Sequence, residues 1–141
     1  MAVVNILLVE DDEVDVMAIK RALKELKIAN PLFRAADGIV ALEMLRGENG
    51  KEPLPRPFLI LLDLNMPRMG GLEFLDELRG DPVLQRSIVF VMTTSTAEDD
   101  RFRAYDRHIA GYVLKSSPAG TFLDAVTMLD HYWRLIEFPE P

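Results

Sequence analysis

Five short apolar runs, each followed by a segment of helical spacing, limit what this chain can become. They are VVNILLV (3–9), LFRAA (32–36), FLILL (58–62), IVFVMT (88–93) and GYVLK (111–115). The third has no polar alternation at all, which suits a strand covered on both faces in a parallel sheet. Between the first two runs, Val14, Ala18, Ala22 and Leu26 fall near helical spacing. After the last run, Phe122, Ala125, Val126, Leu129 and Trp133 share one helix face. Strand and helix alternating five times predict an α/β fold, a doubly wound sheet with helices on both faces. At 141 residues, 49% of them hydrophobic, the chain suffices for one domain with a real core.

Two stretches break this rhythm. GENGKEPLPRP (47–57) reads as a long exposed loop, and RLIEFPEP (134–141) carries Leu135, Ile136 and Phe138 past the stop of the last helix. The reading is therefore a domain over 1–134 and an apolar C-terminal extension over 135–141, with no output domain. No apolar run approaches the roughly 20 residues of a membrane span, so no membrane partner is expected. MAVVNILLVEDD has no basic residue before its apolar run and does not read as a secretory signal; a cytoplasmic protein is expected. A net charge of −7 argues against nucleic acid as the main partner. Cysteine is absent and there are two histidines, so any metal is held by oxygen, which points to Mg²⁺ or Ca²⁺.

In open parallel sheets, ligands gather beyond the carboxyl ends of the strands. Those ends carry Glu10, Asp11 and Asp12 after the first run, Asp63 after the third, Thr93 and Thr94 at the fourth, and Lys115 at the fifth. Singly, each has an ordinary explanation: an acidic helix start, a turn residue, an N-cap, a solvated strand end. Together, clustered carboxylates repel in a half-buried cleft unless a cation offsets them. A metal, a lysine and a hydroxyl converging on one carboxylate are the parts that stabilise a transferring phosphoryl group, and a carboxylate can be the nucleophile.

LLVEDD (7–12), LLDLNMPRMGG (61–71), VMTTS (91–95) and GYVLK (111–115), in this order and at these spacings, resemble a response-regulator receiver domain of the single-domain, chemotaxis-regulator kind, over about residues 4–134. The resemblance implies a flavodoxin-like sheet of strand order 2-1-3-4-5. It implies that Asp63 accepts a phosphoryl group from a kinase phosphohistidine, and that Glu10, Asp11, Asp63 and the Asn65 backbone carbonyl hold Mg²⁺. Lys115 would pair with Asp63 and then with the phosphoryl oxygens. Thr93 would bond the arriving phosphoryl group, and Tyr112 would be the switch aromatic. Asn65 and Ser95 stand where the family controls water access.

Receivers usually carry proline directly after the lysine; here Ser116 follows, which predicts a trans Lys115–Ser116 bond and a last helix starting at Pro118. The loop over 47–57 and the tail DHYWRLIEFP (130–139) resemble regulators serving phytochrome-type histidine kinases. Output would pass through protein contacts to a phosphotransfer or effector protein, and the last helix and tail are expected to form a homodimer, the competing reading being a tail folded back over Tyr132 and Trp133 within a monomer. The alternative within signalling is a degenerate receiver that binds partners without phosphorylation. An aspartate-nucleophile phosphatase would need an acid where Asn65 stands, and a flavin carrier would need a phosphate loop where EDDEVD (10–15) is acidic. Beyond its own phosphorylation and dephosphorylation, the chain is not expected to be an enzyme.

Overall fold

The computed structural model describes residues 3–115 and 122–141. Five strands, β1 (Asn5–Val9), β2 (Leu32–Ala35), β3 (Phe58–Leu62), β4 (Ile88–Thr93) and β5 (Gly111–Leu114), form one parallel sheet ordered β2-β1-β3-β4-β5. The helices are α1 (Glu13–Glu25), α2 (Gly38–Arg46), α3 (Gly71–Gly80), α4 (Glu98–Asp106) and α5 (Phe122–Leu135). This is the doubly wound architecture expected, with the expected strand order. Among the described residues, no helix is long and apolar enough to cross a membrane.

Strand periodicity divides the core in two. Leu7, Val9, Ile60, Leu62, Val89 and Val91 face α2, α3 and α4, packing with Leu42, Leu45, Phe74, Leu75 and Leu78. Ile6, Leu8, Leu59, Leu61, Phe90 and Met92 face α1 and α5, packing with Val16, Ile19, Leu23, Val126, Leu129 and Trp133. The uniformly apolar β3 is buried at every position because both of its faces are covered.

The first helix corrects the sequence reading. Asp12 caps α1 by accepting the Val14 N–H at 2.8 Å. Val14 therefore sits in the first turn and is 73% exposed, and the buried face runs through Val16, Ile19, Ala22 and Leu23. The face predicted for the last helix holds at Val126, Leu129 and Trp133, all buried. The stretch 47–57 is not simply exposed. Gly47 ends α2 in the left-handed region, and Leu54 then turns into the core. The Asn5 side chain fastens the segment from below, donating to the carbonyls of Pro55 at 3.0 Å and Pro57 at 3.3 Å. The tail divides: Leu135 is 82% exposed, whereas Phe138 packs back against the α1/α5 core beside Tyr132. The expectations about the Lys115–Ser116 bond and Pro118 fall outside the described residues.

One glycine is fixed by close approach. A Cβ on Gly71 would meet the Asp63 carbonyl oxygen at 2.6 Å and the Leu64 Cα at 2.7 Å, both backbone, whereas one on Gly80 would meet nothing within 4 Å. The turn after β3 closes on itself there, with the Gly71 N–H donating to the Leu64 carbonyl at 2.9 Å. Gly71→Ala should cost about 2 kcal/mol, because backbone cannot yield as a flexible side chain can. Gly80→Ala should be neutral or stabilise by up to ~0.5 kcal/mol through helix propensity. Urea unfolding of the two variants checks the contrast.

Candidate functional site

The carboxyl ends of the strands gather the site by register. Val9 lies opposite Leu62, so Glu10 and Asp63 leave the sheet side by side, and the Asp63 N–H donates to the Val9 carbonyl at 3.0 Å. Thr93 lies opposite Leu114, which brings Lys115 next to it; the Lys115 N–H donates to the Thr93 carbonyl at 2.9 Å. Buried aliphatic rows hold these ends rigid while the polar residues project beyond them.

Glu10, Asp11 and Asp63 each offer a carboxylate oxygen within 4.8 Å of the others. Glu10 and Asp63 are buried and Asp11 is exposed, so the cluster is a cleft open on one side. Burial pushes the Glu10 carboxyl up to about 7, with the negative charge of Asp63 adding to the rise and Lys115 opposing it. Asp63 is also raised by burial, against the pull of Lys115 and of hydrogen bonds from Glu10, Thr93 and the Asn65 backbone. Two neighbouring acids that favour their protons, with a third acid open to solvent, form a site short of positive charge. The donors are all carboxylate oxygens, so the set fits a hard divalent cation.

Lys115 is placed differently from the simple expectation. Its side chain is nearly buried, and its Nζ stands 3.8 Å from Asp63 Oδ1, within ion-pair range but beyond a hydrogen bond. Its hydrogen bonds go instead to Glu10 Oε1 and, at 2.7 Å, to Asp15 Oδ2. Burial works against the ammonium charge, but Asp15, Glu10 and Asp63 outweigh it and raise the Lys115 pKa.

Thr93 is fully buried, and its Oγ1 accepts the Ser95 N–H at 3.2 Å. The Tyr112 hydroxyl donates to the Ser95 carbonyl at 3.0 Å, and the Ser95 hydroxyl donates to Asp100 Oδ2 at 2.6 Å. Every site residue named from the sequence thus lies at or beside one cleft, Asn65 on its exposed rim.

Three contributors escaped the sequence reading. Asp15 stands in the first turn of α1, where an acid ordinarily answers the helix dipole; its position one turn beyond the acidic pair was the only signal. Arg34 braces that pair, donating to the carbonyls of Glu10 at 2.9 Å and Asp11 at 3.2 Å. Arg68 fastens the loop after Asp63 to α2, its Nε lying 2.7 Å from Asp37 Oδ2, the carboxylate that caps that helix.

Comparison with known proteins bears on this geometry. Residues 6–127 match the model of the response regulator receiver domain family. Response regulator Rcp1 of Synechocystis sp. is 38% identical over 128 residues, covering 91% of this chain and 87% of the relative. A crystal structure of its Mn²⁺-bound form superposes with a TM-score of 0.84 at 37% identity, over 98% of this chain and 99% of that one. The phosphorylated cyanobacterial phytochrome response regulator RcpA gives 0.83 at 35% identity, over 99% and 100%. A probable methanogenesis regulatory protein, FilR2 of Methanothrix harundinacea, is 37% identical over 91% of this chain and 82% of its own length.

Protons and a cation compete for Glu10. Its raised pKa means that the metal-free fold keeps a proton there which the unfolded chain has already released. That contribution is full below about 4.5 and is lost as pH rises towards about 7. Stabilisation by a divalent cation should therefore be larger near pH 7.5 than near pH 5.5, as melting curves with cation and with chelator would read.

Proposed function

The chain belongs to the response-regulator receiver family, and on that premise we propose that it takes a phosphoryl group from a phosphohistidine of a partner kinase onto Asp63. The observation that carries this reading is the meeting of Asp63 with Glu10, Asp11, Thr93 and Lys115 at adjacent strand ends. A carboxylate oxygen of Asp63 forms the new O–P bond while the P–N bond breaks, its electron pair leaving with the donor imidazole. Glu10, Asp11, Asp63 and the Asn65 backbone carbonyl would hold Mg²⁺, which when bound neutralises phosphoryl oxygens. Lys115 supplies a second positive charge, its Nζ 3.8 Å from Asp63 Oδ1. Thr93 donates its hydroxyl to the phosphoryl group, pulling on the Ser95 N–H that its oxygen accepts, and Tyr112 responds through the Ser95 carbonyl.

The chain has no other catalysis in this reading: it promotes only its own phosphorylation and dephosphorylation, and signals by the contacts its phosphorylated form makes in the cytoplasm. Similarity to Rcp1, and to RcpA, described as a phytochrome response regulator, supports a phytochrome-type histidine kinase as donor. The receiver would pass its state on to a phosphotransfer or effector protein.

Acetyl phosphate with millimolar Mg²⁺ should label the wild type without a kinase, because the receiver itself supplies the charges that stabilise the transition state. Asp63→Asn should remove the label and leave the melting curve cooperative. Labelling retained at the wild-type level in that variant, read by intact mass, would overturn the assignment.

We also propose a homodimer through α5 and the tail, since Met128 and Leu135 leave apolar surface of that helix in water. Leu135→Asp should shift light scattering from dimer to monomer mass with the fold retained. A monomeric wild type at tens of micromolar would refute the dimer.

A further inference from the structure

Lys115 offers three ammonium protons, and their distribution is uneven. One meets Glu10, and one meets Asp15 Oδ2 at 2.7 Å, while Asp63 Oδ1 stands at 3.8 Å. The Lys115 side chain is 8% exposed, so it cannot exchange these partners freely for water. Asp15 is the odd member of the group. Glu10 belongs to the carboxylate cluster within 4.8 Å, but Asp15 lies outside that set, on the first turn of α1 with its side chain 32% exposed. An acid so placed adds nothing to the cluster except a hold on the lysine.

We propose that Asp15 is a positioning residue that keeps the Lys115 ammonium on the α1 side of the cleft and surrenders it when Asp63 is phosphorylated. The proposal rests on the reading of Asp63 as phosphoryl acceptor. In the unmodified protein, Asp15 and Glu10 anchor the lysine beyond hydrogen-bond reach of Asp63. A phosphoryl group on Asp63 brings three further oxygens and more negative charge into the cleft, and outbids Asp15 for the ammonium. The lysine needs to travel only on the order of 1 Å to convert a 3.8 Å separation into a charge-assisted hydrogen bond. Asp15 thus sets a threshold: it stabilises the unphosphorylated arrangement, and its ion pair must give way as the phosphoryl group arrives. Because Asp15 is one-third exposed, the pair is screened and the threshold is modest.

Two measurements test this. On the unmodified protein, lysine-selective ¹⁵N–¹H spectra should show the Lys115 ammonium protons exchanging with water slowly, and about fivefold faster in Asp15→Ala. Unchanged exchange in that variant would overturn the hold itself. This spectrum involves no phosphorylation, so it decides the hold even if Asp63 proves not to be the acceptor, a failure that absent labelling of the wild type would reveal separately. With acetyl phosphate and millimolar Mg²⁺, Asp15→Asn should be labelled about fivefold faster than wild type, the size expected for losing a partly exposed ion pair. In a Lys115→Met background, followed over correspondingly longer times, the same substitution should change the rate less than twofold, since its effect passes through the lysine. Labelling of Asp15→Asn that is unchanged or slower would overturn the proposal. So would an equal acceleration in the Lys115→Met background, which would mean that Asp15 acts only by its negative charge on the approaching donor.

Discussion

Everything at the strand ends depends on like charges held closer than they would choose. Glu10 and Asp63 are fixed by the pairing of Val9 with Leu62, and that pairing is fixed by apolar rows covered on both faces. The carboxylates therefore cannot relax apart without unpairing the two central strands. Burial removes the water that would screen them and raises the pKa of both carboxyls. The ammonium of Lys115 meets part of the repulsion, from the end of a strand two places from β3 and three from β1. A buried charge cluster of this kind adds little to stability on its own. What it provides is a place where a divalent cation and a phosphoryl group both find their partners already oriented.

The sequence made the scaffold legible because β3 and β4 are long enough and apolar enough to leave no other assignment. Asp63, Thr93 and Lys115 could be found because each ends a strand, and strand ends in such a sheet share one edge. What stayed hidden depended on side-chain direction. Val14 fits the helical spacing, but the cap at Asp12 sets the phase of α1 and sends the apolar face through Val16 and Ile19. Leu54 lies among prolines and charges, and only its return towards the core distinguishes it from a loop residue. Asp15 looks like any acid in a first turn until the fifth strand delivers Lys115 beside it. Contacts between residues far apart in the chain carry no local periodicity, so no spacing rule announces them.

The link from the cleft to the outer surface is short and made of hydrogen bonds rather than packing. Thr93 accepts from the Ser95 N–H, the Ser95 carbonyl accepts from Tyr112, and the Ser95 hydroxyl donates to Asp100 on α4. A shift of the Thr93 side chain towards a group carried on Asp63 would thus disturb the strand and the helix through one residue. α4 is suited to respond, since it buries a single residue, Ala104, and shows Phe102 and Tyr105 to solvent.

Its two ends are held unequally. The start of α4 rests on the Ser95 side chain, which donates to Asp100 Oδ2 and accepts the Ala97 N–H at 3.4 Å. Beyond its last turn, Arg79 donates to the carbonyls of Arg107 at 2.8 Å and His108 at 2.8 Å, and also to those of Gln85 and Ser87. A guanidinium fork satisfied by four backbone carbonyls is a firm tie, because turning Arg79 away would break all four bonds at once. The far end of α4 is therefore the better anchored, and a rearrangement begun at Thr93 would meet least resistance in its first turns and the Ser95 loop.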